Sequence, residues 1–315
     1  MVIVIGAAVG GGVGGTVGKG SSDSAPSSES SPTPEPPSSI APSSGLSSAN
    51  WTDPDGYQHY YVFYQSRKGD IMQSHYHSKN KTWKVRNVSA SMTSVGTPLS
   101  AILGTSISAI AWSDDGSGWN LRLYLLLTNN YIAELSVLGP NDDAEWQKET
   151  TLKGQAAKGL NIAAYRPPDR NSSLIYLLMY QSEDQKITFK KRRENGWDSP
   201  FYSTPATNKS SLAIGSVDLT SKDEDGPQWR LYFDNSNTLQ EGSFKDSYNN
   251  DWTPNWVVNV DGEDGLVARW YDDEAQKWSE PQAPNLKDSP KGVSASSNFT
   301  AIAGNGDKRL YGLVD

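Results

Sequence analysis

Two pairs of side chains stand out as able to do chemistry. Arg122 and Glu134 lie twelve positions apart, Arg230 and Glu241 eleven, and each pair brackets a short aromatic stretch: RLYLLLTNNYIAE (122–134) and RLYFDNSNTLQE (230–241). Both stretches read as β-hairpins. A hairpin centred on Thr128 sets Arg122 directly opposite Glu134, with both side chains on one face. One centred between Asn235 and Ser236 does the same for Arg230 and Glu241, the one-residue difference being absorbed in the turn. A guanidinium offers a planar fork of donors and a carboxylate offers only acceptors. Such a couple can hold neighbouring hydroxyl groups, which supply both in return. A single cross-strand ion pair is worth only about 0.2–1 kcal/mol and needs no ligand to explain it. Recurrence of the pair at the same place in two repeats is what favours a binding role. The corresponding positions hold Tyr61 and Gln73 in a first unit, and Leu177 and Phe189 in a third.

The elements that must position these pairs repeat along the chain. From residue 46 onward, β-branched and aromatic runs alternate with Gly/Asn/Asp/Ser turns, and no stretch has the period of an amphipathic helix. A short opening strand recurs as SSANW (47–51), SAIAW (108–112), NIAAY (161–165), AIGSV (213–217) and TAIAG (300–304). An aromatic hairpin follows each of the first four, beginning at 61, 122, 177 and 230, and a Trp closes the unit at Trp83, Trp146, Trp197 and Trp252. The period is therefore 53 to 61 residues. Each unit supplies about four antiparallel strands, too few to bury both faces alone, so copies must stack. Radial stacking into a β-propeller leaves only short, protected edges. A β-sandwich does not account for the period. The fifth and sixth units are irregular: GLVARWYDDEAQKW (265–278) leaves no room for an opening strand after Trp252, and KRLYGLVD (308–315) is half a hairpin.

The R-L-Y…E hairpin, the SAIAW-like opening strand and the closing Trp together resemble the fungal fucose-specific lectins, the Aleuria-type six-bladed propellers, over residues 46–315. The resemblance implies an all-β, six-bladed propeller whose fifth and sixth blades are irregular here. It implies sugar pockets between adjacent blades, in which Arg and Glu bind the hydroxyls and ring oxygen of L-fucose and aromatic rings receive its methyl group. By similarity, Arg122 with Glu134 and Arg230 with Glu241 fall to two pockets. Trp146 and Trp252, or the opening-strand residues Trp112 and Tyr165, are the candidate platforms. Arg309 matches the Arg of a further pocket. Units one, three and five depart from the family pattern, which leaves fewer pockets than the family usually shows. The expected partners are fucosylated glycans or glycoproteins, with no cofactor, and a homodimer is compatible with this reading.

Other chemistry finds little support. There is no Cys, which excludes disulfides, thiol nucleophiles and Cys-based zinc sites. A net charge of −8 argues against nucleic acid. The three His, at 59, 75 and 77, include one same-face pair, His75 and His77, with no evident third ligand beside it. No metal or catalytic residue is expected. SDDGSGW (113–119) departs in spacing from the sialidase-type turn. The acidic clusters Asp223–Asp225 and Asp272–Glu274 read as solvated turns rather than paired glycosidase carboxylates. The alternatives are a degenerate propeller that binds proteins and, with less support, a propeller glycosidase.

The N-terminal region points outside the cell. Val2–Gly18 is an uncharged run with small-xxx-small Gly spacings, so residues 1–19 read as a Gly-rich membrane anchor. Residues 20–45 form a disordered Ser/Pro-rich linker. Six N-x-[ST] sequons, at Asn50, Asn80, Asn87, Asn171, Asn208 and Asn298, agree with a secretory route. The expected location is extracellular or at the cell surface, on a single membrane pass.

Overall fold

Within residues 121–126 successive side chains alternate in direction, yet Leu121, Leu123 and Leu125 on one side and Tyr124 and Leu126 on the other are all fully buried. A sheet with two apolar faces has to be covered twice, and stacked copies of one unit achieve this. The computed structural model describes residues 3–5, 40–41, 43–114, 118–138, 145–152, 161–166, 174–193, 196–199, 203–217, 228–235, 238–244, 257–261, 265–269, 271–272, 277–278, 286–287, 299–304 and 309–314.

The first strand, β1 (Ile3–Ile5), belongs to the last sheet of the chain. The first unit is an antiparallel sheet of β2 (Leu46–Thr52), β3 (Gln58–Gln65), β4 (Ile71–His77) and β5 (Thr82–Asn87), followed by α1 (Val88–Ser94). The second repeats that order with β6 (Ile107–Asp114), β7 (Gly118–Leu126), β8 (Ile132–Leu138) and β9 (Gln147–Leu152). In the third, β10 (Ile162–Tyr165) and β11 (Leu174–Gln181) precede β12 (Lys186–Arg193), with which β13 (Gly196–Trp197) and β14 (Ser203–Pro205) both pair. The fourth comprises β15 (Leu212–Val217), β16 (Gln228–Asn235) and β17 (Thr238–Phe244). Two hairpins follow, β18 (Val257–Asp261) with β19 (Gly265–Arg269), and β20 (Tyr271–Asp272) with β21 (Lys277–Trp278). The last sheet has the order β22 (Leu286–Lys287), β1, β24 (Arg309–Val314), β23 (Phe299–Gly304).

The opening strands lie side by side: β2 against β6 and β23, and β10 against β6 and β15. The recurring Ser of these strands explains the stitching. Ala109 N–H donates to Ser47 Oγ at 2.9 Å, and one unit further Ala164 N–H donates to Ser108 Oγ at 2.8 Å. Each Ser thus satisfies a backbone group of the next unit that no strand pairs. At Gly45 an added Cβ would stand 2.5 Å from Thr105 O, so only glycine lets the first unit approach the second this closely. Buried Gln65 and Gln181, each ending the second strand of its unit, make a second stitch. Their amides bond the backbone leading into the following unit at Ile102 and Gly104, and at Thr207 and Ser210.

Three features stand outside the expectations. Ile3–Ile5 is a strand parallel to β22 and β24, as three consecutive β-branched residues favour. Among the described residues no helix is long and apolar enough to cross a membrane. Residues 6–39 lie outside the described residues. The end of the Ser/Pro-rich stretch joins the first sheet, because Ile40 bridges Ser66 and buried Ala41 donates to Gln65 O at 2.9 Å. Finally, α1 has no counterpart in the strand pattern. Its first turn is capped by Asn87, whose side chain accepts from Ala90 N at 2.8 Å, and Val88 and Met92 anchor it to the first core.

Candidate functional site

The turns decide where the Arg/Glu pairs meet. In the second unit Leu127 N donates to Tyr131 O and Asn130 N to Leu127 O, closing a three-residue loop with Asn130 at φ 64°. The first and third units make the same loop, with Gly69 and Gln185 in the left-handed position. This turn centres the hairpin on Asn129, one residue beyond Thr128. The pairing is therefore Arg122 with Ser136 and Tyr124 with Glu134, so Arg122 and Glu134 are diagonal neighbours rather than opposite. A partner change of two residues preserves the face, and the two side chains still share one. The fourth unit has the same register: Arg230 pairs with Ser243 and Tyr232 with Glu241. The side chains of Arg230 and Glu241, and all of Trp252, lie outside the described residues.

Glu134 is the centre of the site. It is 2 % exposed, and four groups converge on it. Tyr176 O–H donates to Oε1 at 2.6 Å, Tyr124 O–H to Oε1 at 3.2 Å and Trp197 Nε1–H to Oε2 at 3.2 Å, while Arg122 Nη1 lies 3.9 Å from Oε1. Two of these donors come from the second unit and two, Tyr176 and Trp197, from the third. The site is an interface between units. Burial, with the Glu134 carboxylate beside them, pushes the Tyr124 and Tyr176 phenols well up, so both stay protonated and donate at neutral pH.

Glu149 completes the polar set, and sequence reasoning missed it. Across the β8–β9 ladder Leu135 pairs with Lys148 and Glu134 with Thr150, which leaves Glu149 as the extra residue of a bulge. A bulge re-aims its side chain. Here Glu149 Oε1 lies 3.0 Å from Arg122 Nη1 and accepts the Ser136 hydroxyl. Burial works to raise its carboxyl, but Ser136, Arg122 and Arg192 outweigh that and hold it below the usual carboxylate range. Arg122 Nε is buried without a hydrogen-bond partner. The guanidinium therefore keeps a spare donor, and one of its two carboxylate neighbours, Glu149, is partly exposed and can swing away.

The aromatic assignments change in a regular way. Trp146 is not in this site. It is fully buried between the first and second units, donating Nε1–H to Gln73 Oε1 at 3.1 Å and meeting Phe63 edge-on. The rule is that the closing Trp of one unit serves the acid or amide position of the unit before it: Trp146 serves Gln73, and Trp197 serves Glu134. Trp197 was visible as a closing Trp, but hairpin spacing gives no sign of which neighbour it faces. Trp112 does belong to the site, 5.8 Å from Tyr176 with Arg166 stacked 4.5 Å over its ring. Tyr165 instead packs with Leu177 and Ile214, toward the fourth unit.

The interfaces between the first four units thus differ in chemistry. Gln73 and Trp146 close the first amid apolar residues. Arg122, Glu134, Tyr124, Tyr176 and Trp197 make the second polar. Met179 and Phe189 fill the third together with Leu231 and Phe233. The three His gather elsewhere, at one end of the first sheet. Sequence spacing showed no third ligand beside His75 and His77, whereas the fold brings Asp53 and His59 close to His77.

No family model matches the chain, and no curated protein matches its sequence. Solved structures do match. The chain is similar to the lectin of Aleuria aurantia, whose structure is described as a six-bladed β-propeller with a novel fucose recognition mode. The match has 16% identity and a TM-score of 0.59, over 86% of this chain and 88% of that one. A mutant of the same lectin in complex with α-methyl-L-fucoside matches at 15% identity and TM-score 0.58, over 86% and 87%. The SapL1 lectin in complex with α-methyl fucoside matches at 14% identity and TM-score 0.52, over 84% and 86%. At these identities the likeness concerns the fold: the repeated sheets are blades of a β-propeller.

Proposed function

We propose that this chain is a non-catalytic carbohydrate-binding lectin that takes L-fucose-bearing glycans between its second and third blades. One observation carries the reading. Glu134 is buried at a blade interface and gripped from both blades, with the partly free fork of Arg122 beside it and Trp112 at hand. Buried carboxylates fixed by several donors present their remaining lone pairs in one geometry, as hydroxyl recognition requires. The neighbours in complex with methyl fucosides support fucose as the sugar. Arg122 and Glu134 bind hydroxyls, and the Trp112/Tyr176 face receives the methyl group. The fourth blade repeats the backbone register of the second, with Arg230 paired to Ser243 and Tyr232 to Glu241.

A single monosaccharide pocket binds weakly, so capture of a fucosylated surface rests on several pockets or many displayed copies. The Ser/Pro-rich stretch and the sequons support a role outside the cell. The test is calorimetric titration of α-methyl-L-fucoside into wild type and Arg122→Ala, with α-methyl-galactoside as control. Saturable fucoside binding lost in Arg122→Ala supports the reading. Equal heats for both proteins, or for both sugars, count against it.

A further inference from the structure

All three histidines of the chain meet at one end of the first blade. His59 on β3 pairs with Trp51 of β2 on one side and His77 of β4 on the other, and Asp53 directly follows β2. Buried His59 stands between two groups: its Nε2 is 3.3 Å from Asp53 Oδ2 and its Nδ1 is 3.0 Å from His75 Nε2. One ligand atom each from Asp53, His59 and His77 lies within 4.8 Å of the other two. We propose that Asp53, His59 and His77 form a site for a divalent transition-metal ion of the zinc type, with His75 orienting His59 from behind.

Four features support this. Ligand atoms held about 2.0 Å from a tetrahedral ion lie about 3.3 Å apart, which is the Asp53–His59 separation. Asp53 is fixed for the purpose: its Oδ1 accepts Tyr57 N–H at 2.7 Å inside a turn closed by Asp53 N to Tyr57 O at 2.9 Å, so Oδ2 is the oxygen turned to His59. When His59 ligates through Nε2, its Nδ1 carries the proton and donates to His75 Nε2. A second partner of this kind fixes tautomer and ring angle at metal-bound histidines. The rings are also held by stacking, Trp51 on His59 at 4.6 Å and Tyr61 on His75 at 4.4 Å.

His77 has the most to give up. Its Nδ1 accepts the exposed Lys79 amide at 3.1 Å, and ligation through Nε2 hands that amide to water. Water takes the fourth metal position. Two imidazoles with one carboxylate suit zinc or cobalt and not calcium or magnesium, which want oxygen ligands. A bound ion would tie the ends of β2, β3 and β4 together.

The test uses the full chain, stripped with chelator and titrated with Zn²⁺ by calorimetry and with Co²⁺ by visible absorption. The expected result is one saturable site per chain, four-coordinate cobalt bands and a raised melting temperature with zinc. Ca²⁺ should give no heat. His77→Ala, at a partly exposed position, and Asp53→Asn should each remove the saturable binding while circular dichroism stays unchanged. His75→Phe, which keeps the stack on Tyr61 and removes the acceptor, should weaken it by about 10–100-fold. Absence of saturable zinc binding, or binding that survives both His77→Ala and Asp53→Asn, overturns the proposal.

Discussion

Replacing Glu134 separates what its shape contributes from what its charge contributes. In Glu134→Ala, the hydroxyls of Tyr124 and Tyr176 lose their acceptor at positions 0 % and 2 % exposed. Each buried donor left unpaired costs about 1–3 kcal/mol, so these two alone put the loss at about 2–6 kcal/mol. The half-buried Trp197 N–H adds to it. Glu134→Gln keeps the volume and part of the network: its oxygen accepts from Trp197 and its amide donates to the phenol oxygens, so each hydroxyl stays hydrogen-bonded as an acceptor although its own O–H loses Glu134. The first interface already works this way, with Trp146 donating to Gln73. We expect Glu134→Gln to cost only about 1 kcal/mol of stability. Its affinity for fucoside should nonetheless fall about tenfold, because the charged acceptor is gone. Urea unfolding followed by tryptophan fluorescence, read as a midpoint shift at constant slope, checks the first part and fucoside calorimetry the second. An alanine variant as stable as the glutamine variant would refute the convergence of donors on Glu134. A glutamine variant that binds as well as wild type would remove the carboxylate from the site.

Four further outcomes follow from the structure. Glu149→Ala frees Arg122 of a competitor worth about 0.5–1 kcal/mol at a partly exposed site, so fucoside affinity should rise about two- to fivefold; a fall would make Glu149 a sugar ligand instead. Because Glu149 is held below its ordinary value of 4.5, its pairing stabilises the fold above about pH 4.5 and fades as pH drops through its lowered pKa. The stability gap between wild type and Glu149→Ala should therefore close in acid, as unfolding midpoints across pH will show. Trp146→Phe should cost about 1–3 kcal/mol of stability while leaving fucoside affinity within about twofold, since Trp146 serves Gln73; a larger binding loss would return it to the sugar site. Asn87→Ala should cost about 1 kcal/mol through the lost cap of α1, measurable as a shift in thermal midpoint.

The repeats were legible because period-2 hydrophobicity and turn residues are local properties. The opening strands and the hairpins that follow the first four of them lie where the sequence placed them. Register was misread by one residue because the loop at Thr128–Asn130 holds an extra left-handed residue, and Asn130 carries no unique sign of it. The partner of Glu134 was misassigned for a different reason. Trp197 reaches Glu134 across a blade interface from 63 residues away, and no pattern within one repeat reports on the next. Glu149 was hidden because its orientation comes from a bulge. The His cluster was half seen: His75 and His77 share a face by alternation, but the approach of Asp53 and His59 depends on pairing among three strands.

The most direct test of the account is a crystal structure of the chain soaked with α-methyl-L-fucoside. We predict the sugar between the second and third blades, its hydroxyls on Arg122 and Glu134 and its methyl group against Trp112 and Tyr176, with Glu149 turned away. Density for the fucoside at another place, or an unchanged Arg122–Glu149 pair with no sugar beside it at saturating ligand, would contradict it.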